Sequence, residues 1–161
     1  MAQPIIVDAS LVVALADTRD KWHAGAAALR DALLASGAEL VYFDCVVNES
    51  VSVLGRRAEE QGRSDQFDLL LDRLITLIPE ARITWIAAAG KRLYSDVLEI
   101  CRDHQGRLNF NDGLISLASR ELGVRFIVSF DADFDEVAWL ARVASPAQLP
   151  LPPTSESAES G

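Results

Sequence analysis

The chain has few of the residues that build disulfide frameworks or zinc sites. Only two cysteines occur among its 161 residues, and both Cys45 and Cys101 lie within apolar patterns typical of helices. Neither has a second cysteine or a histidine at the spacing that zinc ligands require. We therefore interpret both as small core residues.

Long apolar stretches and a basic N-terminus are also missing. No apolar run approaches the roughly 18 residues that would suggest a transmembrane helix. The opening Met-Ala-Gln-Pro carries no basic side chain and leads directly into a strand-like segment, which is unlike a signal peptide. With the lack of a cysteine framework, this predicts a cytoplasmic protein that does not contact a membrane.

The chain lacks an excess of basic residues as well. Its 15 lysines and arginines are outnumbered by 24 acidic residues, which gives a formal net charge of −9 at pH 7. Such a charge argues against binding nucleic acid through a basic surface. Two features weaken that objection. Glu156 and Glu159 lie in a segment that is predicted to be outside the fold, and bound cations would offset acids gathered in a site.

Short apolar runs alternate with helical patterns along the chain. Strands are predicted at residues 4–8, 40–43, 82–84, 125–130 and 142–144, and helices at 11–16, 22–35, 45–62, 65–77, 86–104 and 111–122. This alternation predicts one α/β domain with a mainly parallel sheet, over residues 1–147. From Pro146 the composition shifts to proline, serine and glutamate, and we predict a disordered tail at residues 148–161.

Four acidic residues stand at the ends of these elements. Asp8 closes the first strand and Asp131 follows the strand at 125–130, while Glu49 lies early in one helix and Asp112 begins another. Sites in parallel sheets form beyond the carboxyl ends of the strands. The sequence therefore predicts a metal-binding acidic cluster. Oxygen ligands without histidine suit Mg²⁺ or Mn²⁺ better than zinc.

Each of these acids also has a simpler interpretation. Asp8 is typical of a turn or helix cap, and Asn111 or Asp112 is suited to cap the helix that follows. Ser10 is likewise suited to cap the helix after the first strand. Glu49 is either buried and therefore paired or metal-bound, or a first-turn acid whose head lies in solvent.

The acids around Asp131 form a local run. Asp131, Asp133 and Asp135 alternate over five residues, where their charges repel one another unless a cation is nearby. A solvated acidic turn is the simpler interpretation. The spacing is similar to the start of an EF-hand, but the glycine and glutamate of that loop do not follow at the required offsets.

At these positions the chain resembles the PIN domain family of metal-dependent ribonucleases, and within it the VapC-type toxins of bacterial toxin–antitoxin pairs. The segments that carry the resemblance are 6–15, 47–49, 111–115 and 129–134. The likeness extends from Pro4 to about Pro146. It implies a three-layer α/β/α fold with a mainly parallel central sheet.

The resemblance also implies roles for individual residues. Those implied as catalytic and metal-binding are Asp8, Glu49, Asp112 and Asp131. Those implied as supporting are Ser10, Ser129 and Asp133. Ser129 stands where threonine is usual and keeps the hydroxyl. Gly113 stands where alanine is usual, at a cost of about 1 kcal/mol in helix propensity.

The implied function is that of a metal-dependent endoribonuclease that serves as the toxin of such a pair. The implied cofactor is Mg²⁺, with Mn²⁺ as the other possibility, and the implied partners are RNA, a cognate antitoxin and a second copy of the chain. Apolar stripes in residues 11–35 and 49–77 are candidate partner surfaces, although most of each stripe is expected in the core. Basic residues that could guide RNA are Arg56, Arg57, Lys91, Arg92 and Arg107, each of which is equally typical of a solvated helix face or a salt bridge.

Two alternatives remain at this stage. A haloacid-dehalogenase-like phosphohydrolase also uses an Asp-x-Asp motif after a strand, as in residues 131–133, but here the motif stands late in the chain with no lysine after it. The second alternative is a non-catalytic binding protein that keeps the PIN fold. The net charge favours it and the intact acids oppose it.

Overall fold

Five short parallel strands form the centre of the molecule. The structure, a computed structural model, describes residues 2–149 and 151. Its strands are β1 (Pro4–Val7), β2 (Glu39–Phe43), β3 (Ile83–Thr84), β4 (Phe126–Val128) and β5 (Ala141–Val143), and they pair in the order β3-β2-β1-β4-β5. All four strand pairs are parallel, so the carboxyl ends of the strands lie along one edge of the sheet.

Strand β1 occupies the middle of the sheet. Ile6 is in register with Val41 of β2 on one side and with Ile127 of β4 on the other. Residues 5–7 are almost completely inaccessible to solvent, as expected for a parallel strand that is covered on both faces. This central position places whatever follows β1 beside whatever follows β4.

Seven helices flank the sheet within the described part of the chain. They are α1 (Ala9–Ala16), α2 (His23–Ala35), α3 (Asp44–Glu60), α4 (Phe67–Leu77), α5 (Ala87–Arg92), α6 (Tyr94–Asp103) and α7 (Phe110–Glu121). Helix α1 packs against α2, α3 and α4, whereas α6 packs against α5 and α7. The predicted α/β architecture with a parallel sheet is thereby confirmed.

One predicted element is wrong. The single helix expected at residues 86–104 is two helices, α5 and α6, which meet at Leu93, where the backbone has φ −92° and ψ 5°. The buried side chains Ile86, Leu93 and Val97 form one continuous apolar stripe across this junction, so hydrophobic spacing alone does not reveal the break. Gly90 is the one residue in α5 with low helix propensity.

The end of the described chain differs from the composition-based boundary. Residues 146–148 form a short 3₁₀ turn in which Ser145 and Gln148 cap one another. Leu149 and Leu151 are partly buried against the core. The disordered tail at 148–161 stays a prediction, because residue 150 and residues 152–161 lie outside the described residues. None of the described helices is long and apolar enough to cross a membrane.

Candidate active site

The ends of β1 and β4 bring two site residues into direct contact. The backbone N–H of Asp8 donates to the carbonyl of Val128 over 3.0 Å, which continues the pairing of the two strands by one residue. The hydroxyl of Ser129 donates to Oδ2 of Asp8 over 2.7 Å. Residues 121 positions apart in the sequence are therefore joined because their strands are neighbours in the sheet.

Asp8 combines the capping role with a place in the site. It caps the N-terminus of α1 by accepting from the backbone N–H of Ser10, and the Ser10 hydroxyl donates to the same Oδ2 over 2.8 Å. The cap is therefore Asp8 rather than Ser10. Burial raises the pKa of Asp8, and the hydrogen bonds from Ser129 and Ser10 only partly oppose this rise.

Glu49 projects from the second turn of α3 into the same region. It is half-buried, and its Oε2 is fully buried without a hydrogen-bond partner among the described residues. Burial raises the pKa of Glu49, the negative charges of Asp8 and Asp131 add to the rise, and the Asn111 side chain opposes it. A buried carboxylate oxygen without a donor is costly unless a cation or another donor meets it.

Asp112 lies in the first turn of α7 and takes part in a reciprocal cap. The Asn109 side chain accepts from the Asp112 N–H over 3.0 Å, and the Asp112 carboxylate accepts from the Asn109 N–H over 2.8 Å. The N-cap is thus Asn109 rather than Asn111 or Asp112. Burial raises the pKa of Asp112 to about 7, the charges of the other three acids add to this, and the bond from Asn109 opposes it.

The acidic run after β4 divides into three different environments. Asp131 is exposed, its N–H donates to the Ser129 hydroxyl over 2.9 Å, and its carboxylate accepts from the Asp133 N–H over 2.9 Å. Asp135 instead forms an ion pair with Arg142 at 2.8 Å. The sequence pattern did not distinguish these three acids, because alternation alone does not show which carboxylate accepts from a neighbouring N–H and which pairs with Arg142.

All four predicted acids line one cavity of about 170 Å³. The residues that line it are Asp8, Ala9, Ser10, Val13, Glu49, Val53, Arg57, Asn109, Asp112 and Asp131. Ser129 and Asp133 do not line the cavity themselves. Ser129 donates its hydroxyl to Asp8, and Asp133 donates its backbone N–H to the carboxylate of Asp131. Sequence reasoning missed Asn109, for which the three-residue spacing to Asp112 is the available signal.

Arg57 is the one basic residue among those that line the cavity. Its guanidinium donates to Oδ2 of Asp20 over 2.6 Å, and its side chain is partly exposed. Two of the other basic residues considered from the sequence, Arg92 and Arg107, form surface ion pairs at 2.6 Å with glutamates of neighbouring segments. The simpler interpretation of those two residues therefore agrees with their contacts.

The acids that share this cavity fit a divalent cation in their chemistry. Among the described residues, no three His, Cys, Asp or Glu side chains already converge as a preformed metal site. The lining donors are nevertheless mostly oxygens, Oε2 of Glu49 is buried without a partner, and the pKa values of Asp8, Glu49 and Asp112 are all raised. These are the properties of carboxylates whose counter-charge the surrounding protein does not supply.

Comparisons with known proteins bear on the family and the fold. Residues 5–140 match the model of the PIN domain family. The crystal structure of the Mycobacterium tuberculosis toxin VapC20, described as cleaving the sarcin–ricin loop, aligns with a TM-score of 0.63 over 84% of this chain and 96% of that chain. Its sequence is 22% identical, so the likeness concerns the fold. A search of curated proteins finds no match.

Proposed function

Because the chain belongs to the PIN domain family, we propose that it is a metal-dependent endoribonuclease and the toxin of a VapC-type toxin–antitoxin pair. The observation that carries the proposal is the placement of Asp8, Glu49, Asp112 and Asp131 around one cavity. The fold likeness to VapC20, whose description names an RNA-cleaving toxin, supports the assignment of RNA as substrate.

The residues proposed to hold the cation are the same four acids. A bound Mg²⁺ or Mn²⁺ supplies a water of lowered pKa and stabilises negative charge on the leaving oxygen of a phosphodiester. The oxygen-only carboxylate set favours these hard cations over zinc.

The chain's own contribution is to hold the carboxylates in place and to supply one positive charge. The hydroxyls of Ser10 and Ser129 fix the orientation of Asp8, and the Asn109 N–H fixes that of Asp112. Arg57 is positioned by Asp20 at the wall of the cavity and is exposed enough to contact a phosphate of the RNA.

The partner surfaces remain part of the proposal. Leu69 and Ile75 on α4 are large apolar side chains that are each about half exposed. They lie in the segment 49–77 and support an antitoxin or a second copy of the chain as the partner. The predicted cytoplasmic location is where such a toxin meets RNA.

The test is cleavage of RNA by the purified protein with and without Mg²⁺ or Mn²⁺. The substrates are an unstructured RNA pool and a ribosomal RNA fragment that contains the sarcin–ricin loop. We expect metal-dependent cleavage that falls more than about 100-fold in Asp8→Asn, since loss of residues that merely support metal ligands already costs 10- to 100-fold.

Asp135→Asn is the matched control. It removes a carboxylate of the same acidic run that does not line the cavity, and we expect it to cleave as the wild type does. Equal cleavage by the wild type and Asp8→Asn would trace the activity to a contaminant. Absence of cleavage by the wild type on both substrates would favour the non-catalytic binding protein.

A further inference from the structure

Two aromatic rings are stacked beside the acidic cavity. The rings of Trp22 and Phe130 lie 5.2 Å apart between centroids at an interplanar angle of 19°. Phe130 stands between Ser129 and Asp131, both of which belong to the site. Trp22 precedes α2 and is 50% exposed, so the largest apolar side chain of this region is held partly in solvent.

The backbone of each aromatic residue is hydrogen-bonded toward the cavity, directly to a lining residue for Phe130 and through Asp20 for Trp22. The Phe130 N–H donates to the Ser10 hydroxyl over 3.0 Å. The Trp22 N–H donates to Oδ1 of Asp20 over 2.7 Å, and Oδ2 of the same aspartate accepts from Arg57 over 2.6 Å. The backbone positions of both aromatic residues are therefore connected to Ser10 and Arg57, two residues that line the cavity.

The negative net charge of the chain makes an uncharged contact with RNA useful. With a net charge of −9 and an acidic cavity, the protein attracts a phosphate backbone only weakly. Stacking of bases on aromatic side chains does not depend on net charge and contributes to binding of single strands. Lys21 places its ammonium over the Trp22 ring, 5.5 Å from the ring centroid, and a base that stacks on this ring would displace the ammonium toward the neighbouring phosphate.

We infer that Trp22, supported by Phe130, is a stacking platform for an unpaired nucleobase of RNA close to the scissile phosphate. This inference rests on the proposed nuclease function and adds a requirement to it. A base inside a duplex has no free face, so the substrate must present an unpaired base at the cavity rim.

The test is binding of a single-stranded octa-adenylate and of an abasic octamer with the same backbone. All proteins carry Asp8→Asn to suppress cleavage, and Mg²⁺ is present. We expect Trp22→Ala to weaken octa-adenylate binding by about 5- to 100-fold, which corresponds to the loss of one stacked base. Binding of the abasic octamer should be unchanged, and Trp22→Phe should retain most of the affinity for octa-adenylate.

Trp85→Ala is the matched control, because Trp85 is even more exposed and follows edge strand β3, two strands away from β1. Unchanged octa-adenylate binding by Trp22→Ala would overturn the inference. Equal weakening with the abasic octamer, or by Trp85→Ala, would overturn it as well. Wild-type protein that fails to cleave RNA while the Trp22-dependent binding persists would count against the nuclease function and leave the platform standing.

Discussion

Helix α1 carries a buried aspartate at each end, and the two aspartates have opposite environments. Asp8 at the N-terminus and Asp17 at the C-terminus are 6% and 4% exposed. Asp17 accepts from the guanidinium of Arg63 at 2.7 Å, whereas Asp8 accepts only from hydroxyl and backbone N–H groups and lies near other carboxylates. The two aspartates are thus similarly buried, but a basic side chain bonds Asp17 and none of the described basic side chains bonds Asp8.

The pKa values follow this difference. For Asp17, burial acts to raise the pKa, but the hydrogen bond and charge of Arg63 and the N–H of Arg19 outweigh it and the pKa is lowered. For Asp8, burial prevails and the pKa is raised. The carboxylate of Asp17 is thus kept charged by a cation of the protein itself, the guanidinium of Arg63. At the opposite end of α1 no basic side chain of the described residues bonds Asp8, which fits the proposed role of this carboxylate in holding a metal.

The largest expected effect comes from neutralising the two aspartates in turn. Asp17→Asn leaves the guanidinium of Arg63 buried without a carboxylate, and we expect the free energy of unfolding to fall by about 3 kcal/mol. Asp8→Asn removes an uncompensated buried charge and should leave the metal-free protein within about 1 kcal/mol of the wild type. Urea unfolding in EDTA at pH 7.5 measures both.

A second substitution sharpens this comparison. Adding Arg63→Met to Asp17→Asn removes the unpaired charge and should recover part of the lost stability. Equal destabilisation by Asp8→Asn and Asp17→Asn would show that both carboxylates are structural, and the contrast between the ends of α1 would then carry no functional meaning.

The next effect is a dependence of stability on pH that runs in opposite directions for Asp112, which lines the cavity with Asp8, and for Asp17 at the other end of α1. The folded-state pKa of Asp112, about 7, lies above its unfolded value, so its contribution to stability is present at low pH and is lost as the pH rises through 7. The lowered pKa of Asp17 acts in the opposite sense, because its contribution is lost as the pH falls.

The Asp112→Asn variant isolates the first of these contributions. In EDTA we expect its stability relative to the wild type to increase by about 2–4 kcal/mol between pH 5 and pH 8. The amide of the variant still accepts from the Asn109 N–H, so the helix cap is kept. Adding Mg²⁺ at pH 8 should raise the unfolding midpoint of the wild type and not that of the variant. A stability difference independent of pH would contradict the raised pKa.

Apolar runs and helical spacing in the sequence predicted most strands and helices of the fold. Strands β1 and β4 follow from apolar runs that end near Asp8 and Asp131, and these two acids line one cavity with Glu49 of α3 and Asp112 of α7. The pairing of Asp17 with Arg63 spans 46 positions, and nothing in the neighbourhood of either residue indicates it. Arg57 likewise pairs with a distant residue, Asp20, so the sequence did not separate it from the other basic candidates.

Packing between helices also lies beyond local pattern. Gly113 was expected only to lower helix propensity, but a Cβ at this position would lie 3.1 Å from a methyl of Val97 on α6. Glycine therefore allows α6 and α7 to approach closely.

The smallest expected effect concerns the hydroxyls that donate to Asp8. Ser129 is fully buried, donates to Asp8 over 2.7 Å and accepts from the Asp131 N–H over 2.9 Å. Ser129→Ala removes both bonds, so we expect a loss of about 1 kcal/mol in unfolding free energy and of about 10-fold or more in cleavage. Ser129→Thr keeps the hydroxyl and should retain most of both properties. The unfolding loss should be smaller at pH values where Asp8 is protonated, since a hydroxyl stabilises the charged carboxylate more strongly. A loss as large as that of Asp17→Asn would mean that hydroxyls compensate this carboxylate as well as a guanidinium does, and Asp8 would then need no cation from solution.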